Sequence, residues 1–171
     1  MILNLIILGV ILFLLFLLSM IWPPDSPWAP WWRTNGKTAR AMCKLARIKK
    51  GDFIYDLGSG DGTALVIASK EFGAKGIGLE IDAFRYLISK LNFRINGLSN
   101  SVTSRRKNFF KENISKADVV FVYLVPKTLE KLIPKFKKEL KKGTRIISYI
   151  YEINLPLKEV DVKNKIRLYV I

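Results

Sequence analysis

Three features of this 171-residue chain predict an α/β fold on a mostly parallel sheet. From residue 37 onward short β-rich runs alternate with longer helical ones, which implies parallel strands joined by right-handed crossovers. One of those runs, AlaAspValValPheValTyrLeu at 117–124, is almost continuously apolar, as a strand covered on both faces should be. The tail breaks the alternation: residues 159–162 and 166–171 flank Lys163, Asn164 and Lys165, which predicts a closing antiparallel hairpin.

The elements follow in order. Residues 2–22 contain no charged side chain, and only Asn4 and Ser19 interrupt their apolar character. At about 1.5 Å per residue the run makes a helix of roughly 30 Å, so it is expected to be a transmembrane helix over 1–22. It lacks the positive leading region and small-x-small site of a cleaved signal peptide. Trp22, Trp28, Trp31 and Trp32 suit a headgroup layer, and the basic residues from Arg33 to Lys50 have no counterpart ahead of the helix. The expectation is a single-pass membrane protein whose following domain is cytoplasmic. A Pro/Trp-rich connector, 23–36, leads to a domain at 37–171.

Thr34 or Asn35 caps a helix to about Ile48, with Met42, Leu45, Ala46 and Ile48 inward. Strands are expected at 53–57, 75–80, 101–108, 117–124 and 144–152, and helices at 60–72, 83–96 and 128–141. In the helix at 83–96 the apolar residues Phe84, Leu87, Ile88 and Leu91 are expected to face the core.

The net charge of +15 invites a nucleic-acid reading. Arg33, Lys37, Arg40, Lys44 and Arg47 would share one face of a continuous helix, either against anionic lipid or in water. The lysines of 127–142 are mixed with Glu130 and Glu139 and lack the interleaved aromatics of a base-stacking surface. There is no histidine, which excludes a Ser-His-Asp triad, and no Cys/His cluster, so no metal site is expected. The single cysteine, Cys43, rules out an intramolecular disulfide.

The stretch IleTyrAspLeuGlySerGlyAspGly, 54–62, carries the chemistry. A glycine turn between a first strand and a helix is where open α/β sheets bind ligands. The spacing is G-x-G-x-G, with Thr63 where a dinucleotide fingerprint needs Gly or Ala, and no Lys-Ser/Thr pair closes a phosphate loop. Asp56 and Asp61 would repel a pyrophosphate but accept an ammonium and a sulfonium, and Glu80 stands where a carboxylate accepts ribose hydroxyls. S-adenosylmethionine fits that pattern.

With AspLeuGlySerGlyAspGly at 56–62 and GlyLeuGluIleAsp at 78–82, the chain resembles the class I S-adenosylmethionine-dependent methyltransferases, which implies their Rossmann-like fold. AsnPhePheLys at 108–111, the strand at 117–126, LysLysGlyThrArgIleIleSer at 141–148 and the closing LeuTyrValIle look like the small archaeal protein-lysine methyltransferases. They are also similar to the mitochondrial enzymes acting on the ATP synthase c subunit and the adenine nucleotide translocase. TrpAlaProTrpTrp replaces the family's Pro-aromatic-x-Pro segment, and Thr63 its usual arginine.

The resemblance implies that Asp56, Gly58, Ser59, Gly60, Asp61 and Gly62 shape the methionine pocket, with Glu80 on the ribose and Asn108 near the adenine. Tyr123, Val125 and Pro126 are expected at the substrate, with Tyr123, Tyr151 and Glu152 as catalytic candidates and Tyr149 beside them. TyrLeuValPro at 123–126 stands where many nucleic-acid amino methyltransferases carry Asn/Asp-Pro-Pro-aromatic, and suits an aliphatic amine better than a flipped base. The expected partner is a membrane-associated protein offering a lysine. A methyltransferase for a lipid, quinone or other amphiphile, and a basic RNA-binding module with a vestigial cofactor fold, are the alternatives.

Overall fold

The computed structural model describes residues 2–21 and 33–171. Its elements are α1 (Ile2–Ile21), α2 (Gly36–Leu45), β1 (Phe53–Leu57), α3 (Thr63–Phe72), β2 (Lys75–Glu80) and α4 (Ala83–Ile95), then β3 (Val102–Arg106), β4 (Val119–Val122), α5 (Pro126–Glu139), β5 (Arg145–Tyr149), β6 (Leu157–Asp161) and β7 (Ile166–Val170). The connector with its tryptophans lies outside the described residues.

Seven strands form one sheet in the order β3-β2-β1-β4-β5-β7-β6. β1 through β5 are parallel, and β7 runs antiparallel to both β5 and β6, so the expected hairpin closes the sheet. Alternation along the strands divides the core. Ile54, Val119, Phe121 and Ile147 pack with α2, α3 and α4 on one face, whereas Leu57, Val120, Val122 and Ile146 pack with Leu129, Leu132 and Phe136 of α5 on the other. Local chemistry sets the helix ends: Asn35 Oδ1 accepts from the Thr38 amide (2.9 Å), Asp82 Oδ1 accepts from the Arg85 amide (2.8 Å), and Pro126 opens α5.

Four expectations are corrected. Among the described residues no helix is long and apolar enough to cross a membrane. The basic stripe is not one continuous helix face, because Arg33 precedes α2, Arg47 follows it at φ 51°, and Arg40 and Arg47 pair with Glu71 and Glu159. In α4 the stripe expected inward is outward: Phe84, Leu87 and Leu91 are exposed while Arg85, Ser89 and Phe93 are buried. β5 stops at Tyr149, three residues before the strand end expected at Glu152, because Ile150 takes a left-handed backbone (φ 68°).

Candidate active site

The carboxyl ends of β1, β2, β4 and β5 hold the residues with chemistry. Asp56, on β1, is level with Gly78 of β2 and Phe121 of β4. Its carboxyl is buried, and burial, with Glu80 and then Asp61 adding repulsion, pushes its pKa up to about 7. Glu80 ends β2 and ties the turn together: its Oε2 accepts from the Gly60 amide (2.9 Å), and its Oε1 accepts from the amides of Ile81 (2.9 Å) and Asp82 (3.0 Å). Burial raises the Glu80 pKa, while those amides and Arg85 pull it down.

The glycines of the turn serve two purposes. Gly58, Gly60 and Gly62 all have left-handed φ, so the backbone needs their freedom. Gly62 is also forced by packing, since a Cβ there would lie 2.5 Å from the ring of Phe93 on α4. Ser59 sits against β2, where a Cβ on Gly78 would lie 2.6 Å from its hydroxyl oxygen. That hydroxyl is buried and has no hydrogen-bond partner among the described residues, an arrangement that costs free energy unless a ligand completes it.

Next to this turn, at the ends of β4 and β5, three tyrosines meet. The Tyr123 ring lies 4.6 Å from that of Tyr149 and 6.4 Å, near-parallel, from that of Tyr151. The kink at Ile150 lets both neighbours approach, and its unfavourable φ is held from several sides. The Ile150 amide donates to the Lys165 carbonyl (2.8 Å), Arg167 Nη1 donates to the Ile150 carbonyl (2.6 Å), and Ser148 Oγ donates to the Tyr151 carbonyl. Burial raises the Tyr123 pKa, with Tyr149 and Tyr151 adding to it, so its phenol stays protonated and is no base at neutral pH.

The remaining expected residues fall into two groups. Asn108 follows β3, two residues beyond it, and its Oδ1 accepts from the Phe110 amide (2.9 Å). The preceding residue, Lys107, donates its amide to the Glu80 carbonyl (3.0 Å), which ties this loop to the end of β2. Val125 and Pro126 cap and open α5 directly after Tyr123. Glu152 does not join the tyrosines: its side chain is 76% exposed and pairs with Arg167 (2.8 Å). Sequence reasoning missed Arg33, which pairs with Asp61 (2.7 Å); nothing in its spacing marks it apart from the other basic residues. Arg167 was missed too, because an arginine in a hairpin strand carries no motif.

The family model of the ANTKMT methyltransferase domain matches residues 56–156. A protein-lysine N-methyltransferase of Saccharolobus islandicus (strain REY15A) is 34% identical over 160 residues, covering 89% of this chain and 98% of that protein. An adenine nucleotide translocase lysine N-methyltransferase of Mus musculus is 30% identical over 70% of this chain and 52% of its own length. Among solved structures, an RNA methyltransferase from Salinibacter ruber in complex with S-adenosyl-L-homocysteine superposes with a TM-score of 0.79 at 31% identity, covering 82% of this chain and 94% of that one.

Proposed function

The chain belongs to the ANTKMT methyltransferase family, within the class I S-adenosylmethionine-dependent methyltransferases, and from that premise we propose that it methylates lysine side chains of proteins held at a membrane. The observation that carries the substrate reading is the three-tyrosine cluster beside the carboxylate-rich turn.

The residues fit the cofactor. Asp56 and Glu80 are buried acids at the turn and Asp61 pairs with Arg33; a ligand bearing an ammonium and a sulfonium favours the ionised form of the two buried acids. Ser59 has a buried hydroxyl to offer, and Glu80 has lone pairs left after its three amide bonds. S-adenosylmethionine, when bound, supplies an electrophilic methyl group for in-line displacement.

On the other side, Tyr123, Tyr149 and Tyr151 receive the lysine. A lysine of pKa about 10.4 is almost wholly protonated at pH 7, and an apolar aromatic site disfavours the ammonium form and promotes the neutral nucleophile. The proton leaves to water, because Tyr123 holds its own proton more tightly than a free phenol. Ring walls also align the amine, and alignment alone is worth of order 7–11 kcal/mol in favourable cases.

The membrane reading is supported by α1, whose described side chains from Ile2 to Phe16 are exposed and apolar on every face apart from Asn4; such a helix needs an apolar medium around it. The excess of basic residues after α1 supports a cytoplasmic domain.

The test is to incubate the protein, in lipid nanodiscs, with methyl-labelled S-adenosylmethionine and a membrane extract, then separate protein, lipid and RNA. Gly58→Arg, at a left-handed glycine against Leu124, serves as the blank. Label in protein is the expected result. Label confined to lipid would replace the substrate with an amphiphile, and label confined to RNA would replace it with nucleic acid.

A further inference from the structure

α4 is amphipathic in the reverse sense to a surface helix. Phe84, Leu87, Leu91 and Ile95 are 44, 59, 58 and 75% exposed, and their spacing of three, four and four places them in one stripe along its whole length. The opposite face is fixed inward. Ser89 Oγ bonds Ser104 Oγ of β3 (2.7 Å), Phe93 packs against Gly62, and Arg85 is buried. A rotation that hid the stripe would break all three.

Two observations say what covers it. First, α4 contains no acidic residue, and the exposed cations Lys90 and Arg94 line one edge of the stripe; an apolar stripe edged by basic residues suits an anionic lipid surface. Second, the ring of Phe84 meets that of Phe16 of α1 edge-on at 6.1 Å, so the stripe continues the apolar surface of α1.

We infer that α4 is a second membrane contact: it lies in the interface of an anionic bilayer, with Phe84, Leu87, Leu91 and Ile95 at the headgroup–acyl boundary and Lys90 and Arg94 against lipid phosphates. α4 starts three residues after Glu80, so a docked helix holds the mouth of the cofactor turn at the lipid surface and selects lysines at that depth. That last consequence rests on the lysine reading above; the contact itself does not.

A depth measurement on the full chain tests it. Leu91→Cys is labelled with an environment-sensitive fluorophore and reconstituted into phosphatidylglycerol vesicles with or without a lipid-borne nitroxide quencher. Lys137→Cys, exposed on α5, is the control. The native Cys43 is buried, and burial pushes its thiol up to about 12, so label goes to the introduced site. The expected result is a blue shift and loss of emission with the quencher at residue 91 but not at 137, weaker on phosphatidylcholine alone. A water-like probe at 91 on vesicle-bound protein would overturn the contact. So would an apolar signal that appears without vesicles in a dimer, which would assign the stripe to a second copy, or one that appears only on adding a substrate protein. The readout needs no methyl transfer, so it fails or succeeds apart from the catalytic reading.

Discussion

Asp56 is buried with a pKa raised from 3.8 to about 7, by burial first and then by Glu80 and Asp61. Because its folded value lies above its unfolded value, the stability associated with its protonated form is complete below about 3.8 and is lost as pH rises towards 7. Without cofactor, Asp56→Asn is therefore expected to raise the melting temperature at pH 8 and change it little at pH 4, while weakening cofactor binding at pH 8; scanning calorimetry at the two pH values and a binding titration check both. Gly62→Ala meets Phe93 at 2.5 Å and carries a φ of 77°, so a destabilisation of roughly 2–4 kcal/mol is expected in denaturant titration. That Asp56, Asp61 and the glycines gather at one strand-to-helix turn was legible, because they lie within seven consecutive residues, 56–62, where β1 leads into α3. Ser59's orphan hydroxyl and the Arg33–Asp61 pair were not, since both depend on how distant segments close over the turn.

At the scale of elements, the tyrosine cluster depends on a break in β5. Tyr149 and Tyr151 were expected beside Tyr123, and both rings meet it. The break was not, because a β-branched residue such as Ile150 is among the least expected to take a positive φ. It also turned Glu152 away from the ring cluster and out to Arg167. Arg167→Ala removes the bond to the Ile150 carbonyl and the pair with Glu152. It is expected to cost about 1–2 kcal/mol of stability and to raise KM for the lysine substrate while leaving cofactor affinity unchanged, which steady-state kinetics and a binding titration separate. α4 shows the same division of what sequence can say. Its 3.6-residue period identified which side chains share a stripe, but the inward face was decided by Ser104 and Gly62, which the helix sequence does not contain.

Across the whole molecule, a chain of +15 buries Asp56, Asp61 and Glu80 at one turn while most of its lysines stay exposed. Surface charge is screened over about 10 Å at 0.1 M salt, and buried charge much less. Raising salt from low to high is therefore expected to weaken flotation with anionic vesicles while barely changing the cofactor's dissociation constant. The mostly parallel sheet and its antiparallel close were readable from the alternation of runs, whereas the span expected of residues 1–22 was not upheld among the described residues. Both halves of the site meet in one quantity: methyl-lysine in acid hydrolysates of membrane protein after incubation with labelled cofactor, for wild type and for Tyr123→Ala. Methyl-lysine from wild type, with a loss of tenfold or so in Tyr123→Ala despite undiminished binding of S-adenosylhomocysteine, is the expected outcome. Equal methyl-lysine from both, or none from wild type while lipid or RNA carries the label, would contradict a tyrosine-walled lysine site.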